Sequence, residues 1–253
     1  EERLRRFVAD ASHELRTPIT TIRGYAELYE QGGLAESSDL DDAMRRTSQE
    51  AVRMGGLVED MLQLARLDQG RDLQLEQVDL AALAVETASD ARISHPDRSI
   101  TVTGDNGRIV VKGDADKLRQ VLANLIGNAV VHTPPGTPVR VEVRTAGDGA
   151  VVDVVDEGPG MDANTAELAF ERFYRADPSR SRNHGGTGLG LATVRSIVNA
   201  HHGTVELISQ PGAGTTARVT LPVDGESPPT IPQATTSISP ARHVRSKNEG
   251  NGE

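Results

Sequence analysis

The sequence predicts two unlike domains. The first is an all-α helical hairpin that forms a dimeric four-helix bundle with a second copy; the second is an α+β sandwich. Three observations predict this. Two long segments carry apolar residues at helical spacing and stop at a polar break near residue 70. Beyond the break, short Val-, Ile- and Thr-rich runs alternate with helical patterns and Gly-rich turns. The hydrophobic fraction of 36% is low for one compact globule, as an elongated helical part and a disordered part would make it.

The first helix is expected over about residues 4–29. Leu4, Val8, Ala11, Leu15, Ile19, Ile22, Ala26 and Tyr29 recur there at steps of three and four. Gln31-Gly32-Gly33 ends it. The second is expected over about 39–67, where Leu40, Met44, Thr47, Ala51, Met54, Val58, Met61 and Ala65 form a heptad pattern. One hairpin cannot bury both stripes by itself, so residues 1–68 are expected to pair with a second copy. Residues 69–72 are polar and read as a linker. Ser99 to Asp114 reads as two strands around a turn, and Asp116 to His132 as a strong helix. Pro138–Thr145 and Ala150–Asp156 read as a hairpin. A helix over Leu189–His201 and strands at Thr204–Ser209 and Thr215–Val223 complete residues 73–223. Helices on one face of a mostly antiparallel sheet make the sandwich. Residues 224–253, rich in Pro, Ser, Thr, Gly and charge, read as a disordered tail.

Composition narrows the function. Trp is absent and aromatics are 2%, so Leu, Val, Ile and Ala must build the cores. With no Cys there are no disulfides or thiolate metal sites, which fits a reducing compartment. A net charge of -10 argues against direct nucleic-acid binding. No apolar run approaches the ~20 residues of a membrane span. The chain starts at Glu1 rather than Met and reads as a cytoplasmic fragment of a longer protein.

FVADASHELRTPIT, Phe7 to Thr20, carries the first chemistry. His13 falls between stripe residues Ala11 and Leu15, on the polar side of the helix. Taken alone, a histidine there is most simply a solvated side chain. Its neighbours supply a second reading. Imidazole is a competent nucleophile at neutral pH. Glu14 could hold or deprotonate the other ring nitrogen, and the Thr17 hydroxyl, one turn on, could orient a water. Pro18 cannot donate to the Glu14 carbonyl, so the helix is expected to bend or loosen just past His13.

In the second domain, Asn124 and Asn128 lie one turn apart in an otherwise apolar helix, where Asn is a poor helix former. Their amides suggest a polar cleft suited to Mg²⁺. Asp156-Glu157-Gly158-Pro159-Gly160 follows a strand, and Gly185-Gly186-Thr187-Gly188-Leu189-Gly190 opens a helix, where backbone amides favour an anion. Neither stretch is a P-loop or a dinucleotide fingerprint. Arg175 to His184, with Arg180 and Arg182, reads as a mobile basic lid that could neutralise phosphate charge, with a solvated loop as the alternative.

These pieces, in this order, resemble the cytoplasmic core of a two-component sensor histidine kinase over residues 1–223. Phe7–Thr20 matches the H box and Asn124–Ala129 the N box. Asp156–Gly160 matches the G1 box, Phe170–Arg175 the F box, and Gly186–Leu191 the G2 box. The H box wording is most like that of kinases pairing with OmpR-type regulators, and the style of the sequence is actinobacterial. The resemblance implies the ATP-binding fold shared with gyrase and Hsp90, with ATP and Mg²⁺ as cofactors. It implies that Asp156 accepts from the adenine amino group and that Asn128, helped by Asn124, binds Mg²⁺. Gly158, Gly160, Gly186, Thr187, Gly188, Leu189 and Gly190 shape the pocket and lid, and His132 stacks on adenine. His13 attacks the γ-phosphate with Glu14 as base and Arg175 stabilising charge, and the phosphoryl group passes to an Asp of a response regulator. Thr17 completes an HExxT pattern that in relatives positions water for dephosphorylating the regulator. Any membrane link would run through a sensor region of the full-length parent, an integral plasma-membrane protein. One position departs from the pattern: where many relatives carry a cation after the N box, this chain has Val131.

Overall fold

The computed structural model describes residues 2–34, 36–68, 73–105, 107–175 and 188–223. Helix α1 spans Glu2–Glu30 and α2 spans Ser37–Asp68, packed as a hairpin. The buried seam of α2 differs from the expected stripe. Ala43, Leu57 and Leu64 are buried, whereas Met44, Ala51 and Val58 are exposed. The 43–57–64 seam faces α1, and the neighbouring 44–51–58 row is left outward. Along α1, Ile19 and Tyr29 are also exposed. Helix α1 continues through the buried Pro18. Just beyond it, the Thr20 and Thr21 hydroxyls donate to the Arg16 and Thr17 carbonyls, a bonding pattern that often bends helices.

The second domain starts with strand β1 (Glu76–Asp79) and helix α3 (Leu80–Ser94). Asp79 caps α3, its carboxylate accepting from the Ala81 and Ala82 amides. Strands β2 (Ile100–Gly104) and β3 (Val110–Gly113) come next, the two strands expected within Ser99 to Asp114, but they lie in different sheets rather than pairing with each other. Strand β2 pairs in parallel with β4 (Val139–Ala146), and β3 pairs antiparallel with β1. Helix α4 (Ala115–Val131) lies between them in sequence. The hairpin of β4 and β5 (Gly149–Asp156) is as expected. Helix α5 (Ala163–Leu168) was not expected; Asp162 caps it by accepting from the Thr165 amide and hydroxyl. Helix α6 (Gly190–Ala200) and strands β6 (Thr204–Ser209) and β7 (Thr215–Pro222) finish the fold. The main sheet has the order β2-β4-β5-β7-β6, antiparallel except for β2–β4.

Helices α3, α4 and α6 cover one face of this sheet. Along α4, Leu118, Val121, Leu122, Leu125, Ile126, Ala129 and Val130 are all buried, a full helical face. They meet Val139, Val141 and Val143 of β4 and Val152 and Val154 of β5, whose alternation aims every second residue inward. On the opposite face Asp153 is buried between two arginines. Arg218 donates to it at 2.8 and 3.0 Å and Arg144 at 3.1 Å.

Candidate functional site

The apolar face of α4 fixes where its amides can point. With 118–121–125–129 turned to the sheet, Asn124 and Asn128 occupy the adjoining face, half-buried. The Asn124 amide nitrogen donates to the Gly190 carbonyl at 3.4 Å, which sets it beside the first residue of α6. Among the described residues, no group of three or more His, Cys, Asp or Glu side chains gathers to hold a metal. A metal beside Asn124 and Asn128 would rest on amide oxygens, water and a ligand's own phosphates; Mg²⁺, which keeps several of its waters, needs few protein ligands.

Asp156 ends β5, within electrostatic reach of His132 at the C-terminal end of α4. The Gly158 amide donates to its Oδ1 at 2.8 Å. Burial pushes the carboxyl above its ordinary range, against the amides of Gly158 and Thr215 and the nearby His132, which favour the charged form. The glycine loop is laced to the β6–β7 turn: the Gly212 amide donates to the Pro159 carbonyl at 2.7 Å. Gly160 has φ of 64°, and a side chain there would overlap the Gln210 carbonyl, so this position admits only glycine. His132, at the C-terminal end of α4, is exposed.

Gly188 and Leu189 lead into α6. Gly188 has φ of 71°, and a Cβ there would lie 2.9 Å from the Phe173 Cα. The Phe173 amide donates to the Gly188 carbonyl at 2.9 Å, so the two borders of the 174–187 stretch are bonded together. Arg175 is half-buried beside this junction. Gly186, Thr187, Arg180, Arg182, the linker 69–72 and the tail 224–253 lie outside the described residues.

His13 is exposed on α1, as its helical phase predicts, with Thr17 exposed one turn on and Glu14 half-buried. Leu15, two residues past His13, packs in an apolar cluster with Leu57, Met61 and Leu64 of α2 and with Leu189 and Phe173 of the second domain. The histidine-bearing helix and the borders of the glycine-rich segment thus share one small core.

Sequence reasoning missed several supports of the site. The Ser209 hydroxyl donates to the Gly214 carbonyl at 2.8 Å and accepts from the Met161 amide at 2.9 Å, tying both sides of the glycine loop together. Thr133 packs under Gly158, and His201 accepts from the Asp114 amide at 2.9 Å. The only signal for the first was Gly212-Ala213-Gly214 before Thr215, which read as a plain turn.

Residues 3–70 match the His Kinase A (phospho-acceptor) domain family. Residues 113–225 match the histidine kinase-, DNA gyrase B-, and HSP90-like ATPase family. The chain is 48% identical over 225 residues to the probable sensor histidine kinase TcrY of Mycobacterium tuberculosis, across 89% of this chain and 47% of that protein. It spans about half the length of the curated relatives it matches. The solved mycobacterial sensor histidine kinase MprB superposes with a TM-score of 0.51 at 30% identity, over 58% of this chain and 97% of that one. Histidine kinase ThkA, solved in complex with the response regulator protein TrrA, superposes with a TM-score of 0.71 over 89% of this chain and 64% of that one. At 22% identity its likeness bears on the fold alone. Among the described residues no helix is long and apolar enough to cross a membrane. With a phosphoacceptor helical domain followed by an ATPase domain, this chain belongs to the sensor histidine kinases.

Proposed function

We propose that this chain transfers the γ-phosphoryl group of ATP to His13 and then to an aspartate of a response regulator. The observation that carries this reading is the shared apolar cluster. In it Leu15, two residues from His13 and on the apolar side of the same helix, packs on the cluster of Leu57, Leu64 and Leu189, as does Phe173; Phe173 and Leu189 flank the glycine-rich segment of the ATPase domain. In this reading an unprotonated nitrogen of His13 attacks the γ-phosphorus, the bond to the β–γ bridging oxygen breaks, and ADP leaves. Glu14 takes the proton from the other ring nitrogen. Asp156 accepts from the adenine amino group, His132 stacks on the ring, and Gly158, Gly160, Gly186, Thr187, Gly188, Leu189 and Gly190 shape the pocket. Arg175 offsets phosphate charge. Asn128, helped by Asn124, would hold Mg²⁺, which when bound neutralises phosphate charge.

The outward rows of α1 and α2 support a homodimer. Met44, Ala51, Val58, Ile19 and Tyr29 are exposed in the single chain and would be covered in a four-helix bundle. Thr17, exposed one turn from His13, would orient a water for dephosphorylating the regulator.

The test is incubation with Mg²⁺ and γ-phosphate-labelled ATP, followed by transfer to a receiver domain. The native chain should take up acid-labile, alkali-stable label and His13→Gln none. Thr17→Ala should label normally but fail to dephosphorylate the regulator. Label persisting in His13→Gln would refute the nucleophile assignment, and equal loss of both activities in Thr17→Ala would refute the water-orienting role.

A further inference from the structure

We propose that Arg98 and Thr133 form a positioning pair behind the adenine end of the nucleotide site, one that sets its preference for adenine over guanine. The inference rests on the ATP reading above and concerns two residues outside every glycine or asparagine motif of the sequence. Arg98 lies in the loop between α3 and β2. Its guanidinium donates to four carbonyls: Val130, Thr133 at 2.8 Å, Pro134, and Thr137 at 3.4 Å. It also donates to the Thr133 hydroxyl at 3.1 Å.

These acceptors have a common need. Val130 sits in the last turn of α4, where carbonyls lack intrahelical partners and the helix dipole favours a cation. Residues 132–138 form no regular element and contain three prolines, which carry no backbone donor. One planar, five-donor fork therefore fixes both the end of α4 and the loop that follows.

Thr133 passes that order to the site. It is buried, and its hydroxyl donates to the Ala129 carbonyl at 2.7 Å while accepting from Arg98. With the hydroxyl held on both sides, its γ-methyl is directed at Gly158. A Cβ built on Gly158 would lie 2.6 Å from that methyl. Gly158 in turn donates its amide to Asp156 Oδ1 at 2.8 Å. The chain of contacts runs Arg98, Thr133, Gly158, Asp156, and it ends on the carboxylate that would accept from the 6-amino group of adenine. Guanine presents a carbonyl at that position, and a carboxylate held in place by the loop rejects it. A site built around a fixed polar partner discriminates strongly only while that partner stays fixed.

The test is calorimetric titration of the full chain with ADP and with GDP, beside Arg98→Lys, Thr133→Ser and the double variant. Arg98→Lys keeps the charge but loses the fork. Thr133→Ser keeps both hydroxyl bonds and removes only the methyl, so it keeps the fold even if the arginine variant does not. The native chain should prefer ADP. Each single variant should lower ADP affinity by roughly tenfold while changing GDP affinity little. The double variant should lose less than the sum of the singles, because both act through one contact. An unchanged ADP-to-GDP ratio in Thr133→Ser, or additive losses in the double variant, overturns the pairing while leaving the ATP reading intact. A native chain that binds neither nucleotide overturns both.

Discussion

Asp156 is held between opposing demands. Burial raises its proton affinity, while the amides of Gly158 and Thr215 and the charge of His132 favour ionisation. For folding, a carboxyl with a raised folded value adds stability at low pH that is lost as pH climbs through that value. For binding the sign is reversed, since only the ionised form offers both oxygens as acceptors to an amino group. Adenosine has no phosphate to titrate and isolates this effect. Its affinity should weaken on acidification at a pH above about 3.9, where an ordinary aspartate would still be ionised. Asp156→Asn should bind adenosine at least roughly tenfold more weakly and lose this pH dependence. A variant that retains native affinity, or the same pH profile, would show that adenine is recognised elsewhere.

At the scale of elements, His201 joins three pieces. Its Nε2 accepts from the Asp114 amide at 2.9 Å, just past β3 and at the cap of α4, and its Nδ1 donates to the Ile197 carbonyl of α6 at 2.8 Å. The acceptor role requires a neutral ring, and burial lowers its proton affinity accordingly. The unfolded chain therefore takes up a proton that the folded chain refuses. Stability from this joint is complete above about pH 6.5 and is lost as pH falls below it. The melting temperature should drop between neutral pH and pH 5.5. His201→Gln should cost about 1–3 kcal/mol at neutral pH and flatten that drop. An equally steep drop in the variant would place the titrating group elsewhere. Such joints also mark the limit of what sequence shows. The apolar face of α4 and the β4–β5 hairpin were legible, because their patterns repeat within a few residues. The pairing of β1 with β3 and of β2 with β4 was not, because it depends on segments folded between them. His201 and Asp114 lie 87 positions apart, and Arg98 and Thr133 35 apart. Asn124, Asn128, Asp156 and the glycines stood out as departures from helix and strand preference. The residues that support them conform to those preferences or sit in loops, and so gave no signal.

At the scale of the molecule, the two domains meet through few of the described residues. Leu57, Leu64 and Leu189 are buried together, with Leu15, Met61 and Phe173 around them, whereas the ATPase domain has a far larger core of its own. Phe173 is one of two non-glycine residues with positive φ among the described residues, at 62°. That backbone costs on the order of 1–3 kcal/mol and persists where surrounding contacts hold it. Its bond to the Gly188 carbonyl and its packing on the α2 leucines are such contacts. Phe173 thus links the two borders of residues 174–187 to the leucine cluster of the helical hairpin. Removing Leu64, which is fully buried, leaves a cavity in this shared cluster. Leu64→Ala should cost about 2–5 kcal/mol. Because the ATPase domain retains its own core, it should also split a shared calorimetric transition into two, the ATPase domain melting near its native temperature. Leu189→Ala should do the same from the other side, and the double variant should lose less than the sum, since one cavity serves both. If Leu64→Ala lowers a single undivided transition, the cluster stabilises the hairpin without coupling the domains. If the two losses add, Leu64 and Leu189 belong to separate cores, and the histidine-bearing helices are free of the ATPase domain in solution.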